Sequence, residues 1–337
     1  MELTIISGLP DSNKIFATLR EDRRGFHPGV SGVLNWLEFF GEPDIARMFQ
    51  INMIWLGGNE PDYQALRPNL SRNVLFALVD PDGAQNAIEQ GEKLLDGAQD
   101  KRIFNHPSAV KRTRRDALMA RISEIPGVAA PKTLRVAPQH PFQVIDAIAD
   151  NEMTWPVIVR SAGMHGGAEM ALLDSPEDIA KLDRFAFNGE SYYIIQYVDF
   201  RDEEGRYRKY RFVFIGDKIF LRHLITGETW IVHSGARVMT DETIALERTA
   251  LRGYFKVLQE TTMNSLAQIH RAVGLDFCGL DCAILDDGTI VPFEANPAMD
   301  IFRNTHPQYD LWDDMLSQSK RALLKLLSEP ERWKSAT

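Results

Sequence analysis

Short apolar runs alternate with amphipathic stretches over the first third of the chain. Leu3–Ile6, Ile51–Leu56 and Val74–Val79 read as buried strands. The last run leads into Asp80-Pro81-Asp82-Gly83, a turn signal, after which helical spacing covers Ala84–Leu95. Strands alternating with helices predict a small, mostly parallel α/β unit that closes near Ile103-Phe104.

Beyond it, a basic amphipathic helix is expected from Asn105-His106-Pro107-Ser108 to about Ile122, with Ser108 as its N-cap, broken by Ile125-Pro126-Gly127. A strand (Thr133–Val136), a helix (Phe142–Asn151) and a strand (Val157–Arg160) lead into the loop Ala162-Gly163-Met164-His165-Gly166-Gly167. A strand at Glu169–Leu173 and a helix opened by Asp174-Ser175-Pro176-Glu177 follow. From Tyr192 the pattern changes to consecutive strands, Tyr192–Val198, Tyr207–Ile215 and Lys218–Leu224, the last two joined by a tight turn at Gly216-Asp217. One long helix is expected from Asp241 to Val273, ending at Gly274, then two strands and a helix over Tyr309–Leu327.

Composition narrows the class. A chain of 337 residues is long enough for two or three structural units. Its net charge of −9 argues against a general nucleic-acid binder. The densest basic stretch, Lys111-Arg112-Thr113-Arg114-Arg115, reads as a solvated helix face. No apolar run approaches the roughly 20 residues that span a bilayer, and Met1–Arg20 lacks the pattern of a signal peptide. Cys278 and Cys282 fall on one strand, on the same face, and are expected to be free thiols. The expectation is a cytoplasmic protein.

The segment richest in chemistry runs from Asp276 to Asn296. If Asp287-Gly288 forms a two-residue turn, Asp281 falls opposite Glu294 and Gly279 opposite Asn296. Two carboxylates facing each other repel unless a cation sits between them, and a divalent ion prefers such oxygens. Asn296 lies on the same face as Glu294, and Gly279 would leave room for an ion or phosphate. The opposite face, with Leu280, Cys282, Ile284, Val291 and Phe293, would meet the core. Left unliganded, the same pattern is a solvated acidic hairpin, and a β-bulge near Pro292 would remove the opposition.

This acid–strand–turn–strand–acid-x-Asn pattern resembles the ATP-grasp superfamily, which includes glutathione synthetase, D-alanine ligases and ribosomal-protein glutamyl ligases. The resemblance covers about Asn105 to Trp333. It implies an α/β (α+β) ATP-grasp fold in three parts: an N-terminal unit over 1–104, a helix and lid subdomain over 105–195, and a central antiparallel sheet with a C-terminal helix over 196–333. It also implies that ATP and two Mg2+ ions are bound, the metal by Asp281, Glu294 and Asn296. Arg160 stands where the family carries a phosphate-binding lysine, and Gly163, His165, Gly166 and Gly167 match the loop that folds over phosphates. Gln196, Tyr197, Val198 and Asp199 match the hinge that receives adenine and ribose. Arg115 is the nearest match to a second lysine, with Arg112 the alternative. Arg211 matches an arginine that faces phosphate or substrate; Arg160 and Arg211 are the catalytic candidates. Arg222, His223, Trp230, His233 and Ser234 fall where relatives build the acceptor site.

The implied activity is an ADP-forming ligase that activates a carboxylate as an acyl phosphate for attack by an amine, on small-molecule or peptide substrates, with a homodimer as the family-level expectation. A kinase that leaves the phosphoryl group on its acceptor, or a nucleotide-binding regulatory protein with little catalysis, would use the same pattern.

Overall fold

The computed structural model describes residues 1–334 except 12–15, 23–24, 32–34, 79, 164–168, 234–236, 300, 303–305 and 307–308. The N-terminal unit contains β1 (Glu2–Gly8), β2 (Phe16–Asp22), β3 (Gly25–Ser31), α1 (Asn35–Phe40), α2 (Pro43–Ala46), β4 (Gln50–Leu56), α3 (Tyr63–Leu66), β5 (Asn73–Phe76), α4 (Gln85–Leu95) and β6 (Arg102–Phe104). β1, β4, β5 and β6 form a parallel sheet in the order β4-β1-β5-β6. Their near-continuous apolar runs are what a sheet covered on both faces requires. The separate β2–β3 hairpin is an addition that the apolar pattern did not indicate.

The basic segment forms two helices, α5 (Pro107–Lys111) and α6 (Arg115–Ile122), instead of one. Thr113 Oγ1 donates to the Val110 carbonyl at 2.7 Å, and the extended backbone of Arg114 restarts the helix. The cap of α5 is His106, whose ring accepts from the Ser108 amide at 3.2 Å, and not Ser108 itself.

The second sheet joins β7 (Thr133–Val136), β8 (Val157–Ser161), β9 (Met170–Leu173) and β10 (Tyr192–Gln196) in the antiparallel order β7-β10-β8-β9, with α7 (Pro141–Asp150) nearby in sequence. The helix expected after Asp174 is a 3-10 turn, Pro176–Leu182. The third sheet has the order β12-β11-β13-β14, built from β11 (Tyr207–Ile215), β12 (Lys218–Gly227), β13 (Phe277–Ile284) and β14 (Ile290–Asn296). Between its halves the long helical stretch is split into α8 (Asp241–Val257) and α9 (Glu260–Val273), because Gln259 is extended. The final helix is α10 (Asp313–Ser328).

Packing ties two of these units together and leaves one apart. Ile6, Phe76 and Ile88 of the N-terminal unit share a buried core with Phe212, Phe214, Leu280 and Leu266. On the other side Leu3, Ile5, Trp36 and Phe104 pack with Val213, Ile215, Phe277 and Leu323. The second sheet has a core of its own, from Val144 and Ile148 to Tyr192 and Ile194. Cys278 and Cys282 are buried free thiols. Among the described residues no helix is long and apolar enough to cross a membrane.

One glycine measures how closely α4 lies on its sheet. A Cβ on Gly91 would come 2.7 Å from Phe76 Cζ, inside any ordinary contact. Gly91→Ala should therefore destabilise the protein by about 2 kcal/mol through overpacking, although alanine is the better helix former by about 1 kcal/mol. A fall in the urea midpoint checks this; a rise, as at an exposed helical glycine, would contradict it.

Candidate active site

Asp281 and Glu294 do stand opposite each other, as do Gly279 and Asn296. The local reason differs from the one the sequence gives. Leu285 N donates to Thr289 O, and Gly288 N to Leu285 O, with Gly288 at φ +87. The loop therefore has three residues and a left-handed glycine, the usual alternative to a two-residue turn. Near the turn Ile284 meets Ile290 and Cys282 meets Pro292, one residue out of the expected register. An extra residue on β14, Phe293, then restores it between Cys282 and Asp281. The bulge near Pro292 creates the opposition of acids instead of removing it. It also turns Val291 and Phe293 away from the main core, into a small cluster with Ala283, Phe200 and Trp230.

The space above Gly279 is filled: a Cβ there would meet Met299 Cβ at 2.8 Å. No room is left at that position for an ion or phosphate.

The two acids are each answered by cations of the chain itself. Arg211 holds Asp281 through two parallel bonds, Nε to Oδ1 at 2.6 Å and Nη2 to Oδ2 at 2.9 Å. Lys209 Nζ adds a third, to Oδ2, at 3.0 Å. Lys209 was not singled out from the sequence, although strand alternation puts it on the same face as Arg211. Burial alone would raise the Asp281 carboxyl, but Arg211 and then Lys209 outweigh it and hold it well below the usual carboxylate range. Glu294 is held by Arg115 Nη2. Arg115 is only 5% exposed, so the solvated-face reading of this basic stretch fails at its last residue. Burial would lower the Arg115 guanidinium; Glu294, Asp82 and Asp80 outweigh it and keep it charged.

Arg160 reaches the same place from the second sheet. It lies opposite Tyr193 on β10, and Tyr193 lies opposite Arg135 on β7, so the three share one face. Arg160 is 9% exposed. Burial, then the nearby Arg115, push its guanidinium down to about 10 against the pull of Glu294, Asp82 and Asp80.

His233 is half-buried, and burial followed by Lys209 and Arg211 lowers it. His223 lies opposite Arg211 and is 6% exposed. Burial and three arginines (Arg211, Arg222 and Arg237) keep its ring neutral.

Other candidates are engaged elsewhere. The Gln196 amide is spent on Thr154 and Pro156, accepting from Thr154 N at 3.1 Å and donating to Thr154 O at 2.7 Å and Pro156 O at 3.0 Å. The Tyr197 N–H donates to Pro156 O at 3.1 Å. Asp199 is clamped by Arg201, with Nε to Oδ2 at 2.9 Å. Val198 packs beside the Phe200 cluster. Arg222 donates from Nε to Ile301 O at 2.7 Å and lies over the Trp312 ring, which ties it to the fold. Gly163 is described, with φ +74; His165, Gly166, Gly167 and Ser234 lie outside the described residues.

Two carboxylates and an amide oxygen form a donor set suited to a hard divalent cation whose shell water completes. Asn296 Oδ1 already accepts from Ala298 N at 2.9 Å, but an amide oxygen has a second lone pair. Among the described residues no group of three or more His, Cys, Asp or Glu side chains could hold a metal, which leaves this mixed set as the candidate.

The ion pairs make Asp281 structural as well. Asp281→Asn would remove the counter-charge facing Lys209 and Arg211 in a buried site and should cost about 3 kcal/mol in a urea titration. Glu294, 23% exposed, leaves Arg115 with Asp82 at 4.0 Å; Glu294→Gln should cost about 1 kcal/mol or less. Equal losses would show that Asp281 is not held as described.

No protein-family model matches the chain, and no curated protein matches it in sequence. Solved structures do match in fold. N5-carboxyaminoimidazole synthetase from Staphylococcus aureus, complexed with ADP, is 12% identical over 100% of this chain and 78% of its own, with a TM-score of 0.54. The VanG D-Ala:D-Ser ligase from Enterococcus faecalis is 12% identical over 97% and 99%, with a TM-score of 0.53. The RimK domain ATP-grasp protein from Sphaerobacter thermophilus is 14% identical over 97% and 100%, with a TM-score of 0.51. With its parallel N-terminal sheet, separate four-stranded antiparallel sheet and antiparallel central sheet, the chain has the ATP-grasp fold.

Proposed function

We propose that the chain is an ATP-dependent, ADP-forming ligase that joins a carboxylate to an amine. The observation that carries this reading is the opposed pair Asp281 and Glu294, clamped by Arg211 and Arg115. Fold neighbours named as ligases and synthetases, one with ADP bound, support it. Asp281, Glu294 and Asn296 would hold magnesium, which when bound supplies charge neutralisation at the phosphates.

The rest follows from the chain's own groups. Arg160 and Arg115 would bind phosphate oxygens, and arginine's planar fork suits them. Arg211 and Lys209 stand beside the acids, where they can stabilise negative charge as it builds on the transferred phosphoryl group. A substrate carboxylate oxygen would attack the γ-phosphorus and ADP would leave. An amine would then attack the acyl carbon, releasing phosphate. The chain's work is positioning and neutralisation, so no covalent protein nucleophile is needed. His233, on the connection after β12 and close to Lys209 and Arg211, would contribute to the acceptor site together with Trp230.

The purified chain with MgATP and a panel of carboxylates and amines should release ADP and phosphate in equal amounts, only when both substrates are present. ADP without free phosphate would point to a kinase instead. Glu294→Gln should lower turnover by about 100-fold or more while the protein stays folded. Undiminished turnover in that variant would refute the site.

A further inference from the structure

The Asp80-Pro81-Asp82-Gly83 turn, legible in the sequence only as the end of a strand, reaches into the site. The Asp82 side chain is 2% exposed. Tyr193 Oη donates to its Oδ1 at 2.6 Å. Arg115 Nη1 lies 4.0 Å from Oδ2 and Arg135 Nη2 lies 3.8 Å from Oδ1. Asp80 Oδ1 accepts from the Asp82 amide at 2.9 Å, and both acids act on Arg160. A Cβ on Gly163 would fall 3.5 Å from Asp80 Oδ2, so the turn also abuts the start of the glycine loop.

Three guanidiniums from α6, β7 and β8 thus converge on a turn of the N-terminal unit. Arg115 and Arg160 are the two residues assigned above to phosphate. Buried guanidiniums need anions, and here the chain provides them: Asp80, Asp82 and Glu294 balance Arg115, Arg135 and Arg160. Even so, among the described residues the buried Nε atoms of Arg115 and Arg135 have no hydrogen-bond partner. A cradle with donors to spare, whose charge is balanced by an acid of the chain itself, is one where an internal anion can stand in for an external one.

We propose that the Asp80–Gly83 turn is a latch: Asp82 acts as an internal counter-anion in a polyphosphate cradle made by Arg115, Arg135 and Arg160, and nucleotide enters only when the Asp82 contacts to the lid sheet open. Arg135 is thereby a third phosphate-binding arginine, and Tyr193 is the positioning residue that pins the latch. The fold allows the movement, because the lid sheet has its own core and meets the turn through polar groups. The inference rests on the nucleotide reading above.

The test is calorimetric titration of the full chain with MgATP and, separately, with inorganic tripolyphosphate. Asp82→Asn keeps the shape and an acceptor for Tyr193 but removes the charge, and should bind both about tenfold tighter than the parent chain. Tyr193→Phe leaves every charge in place and removes only the pinning bond; it should tighten both by a smaller factor. It decides the matter alone if Asp82→Asn does not fold. If the parent chain binds MgATP and the folded variants bind it no more tightly, the latch is wrong and the nucleotide reading stands. If neither the parent chain nor any variant binds, both are wrong.

Discussion

Everything at the site depends on a constraint of electrostatics: two carboxylates brought face to face in a largely dry place must be neutralised. The chain meets it with guanidiniums and an ammonium fixed on neighbouring elements, Arg211 and Lys209 on β11 for Asp281, and Arg115 on α6 for Glu294. The first pairing lies within the central sheet and the second joins α6 to it, so the site is not complete until the sheet and that helix have met. Removing Asp281 costs more than its pairing contributes, since Arg211 and Lys209 stay charged in a buried site, whereas Arg115 keeps Asp82 when Glu294 is removed. The same constraint governs the arginines facing Asp82, where the counter-charges come from a third part of the chain.

The sequence showed a good deal of this. Periodicity located most strands and helices, because two-sided burial in the parallel sheet and one-sided burial in the helices leave distinct patterns. It failed at breaks that the apolar spacing runs straight through: Thr113 bonds back to the Val110 carbonyl, and the backbone of Gln259 leaves the helical conformation. The opposition of Asp281 and Glu294 emerged through two departures that cancel: a three-residue loop shifts the register by one, and the bulge at Phe293 shifts it back. No pattern of residue types announces that compensation.

What spacing could not reveal was which cations would meet which acids. Lys209 was legible from alternation alone, as a neighbour of Arg211 on the same face. Asp82 was not, because its partners Tyr193, Arg115 and Arg135 come from three other elements and are joined only by tertiary packing. Arg115 looked like a surface residue for the same reason: helix α6 gives it no charged neighbour that explains its burial, and its counter-ion lies on β14.

The distribution of the apolar cores has a bearing on how such a chain can change over generations. The N-terminal unit and the central sheet interleave their side chains in two common interiors, so neither can be exchanged without repacking the other. The second sheet keeps a private interior and meets the Asp80–Gly83 turn through charged and hydroxyl groups. It is the piece a recombination event could replace whole, carrying new loops to an unaltered chassis.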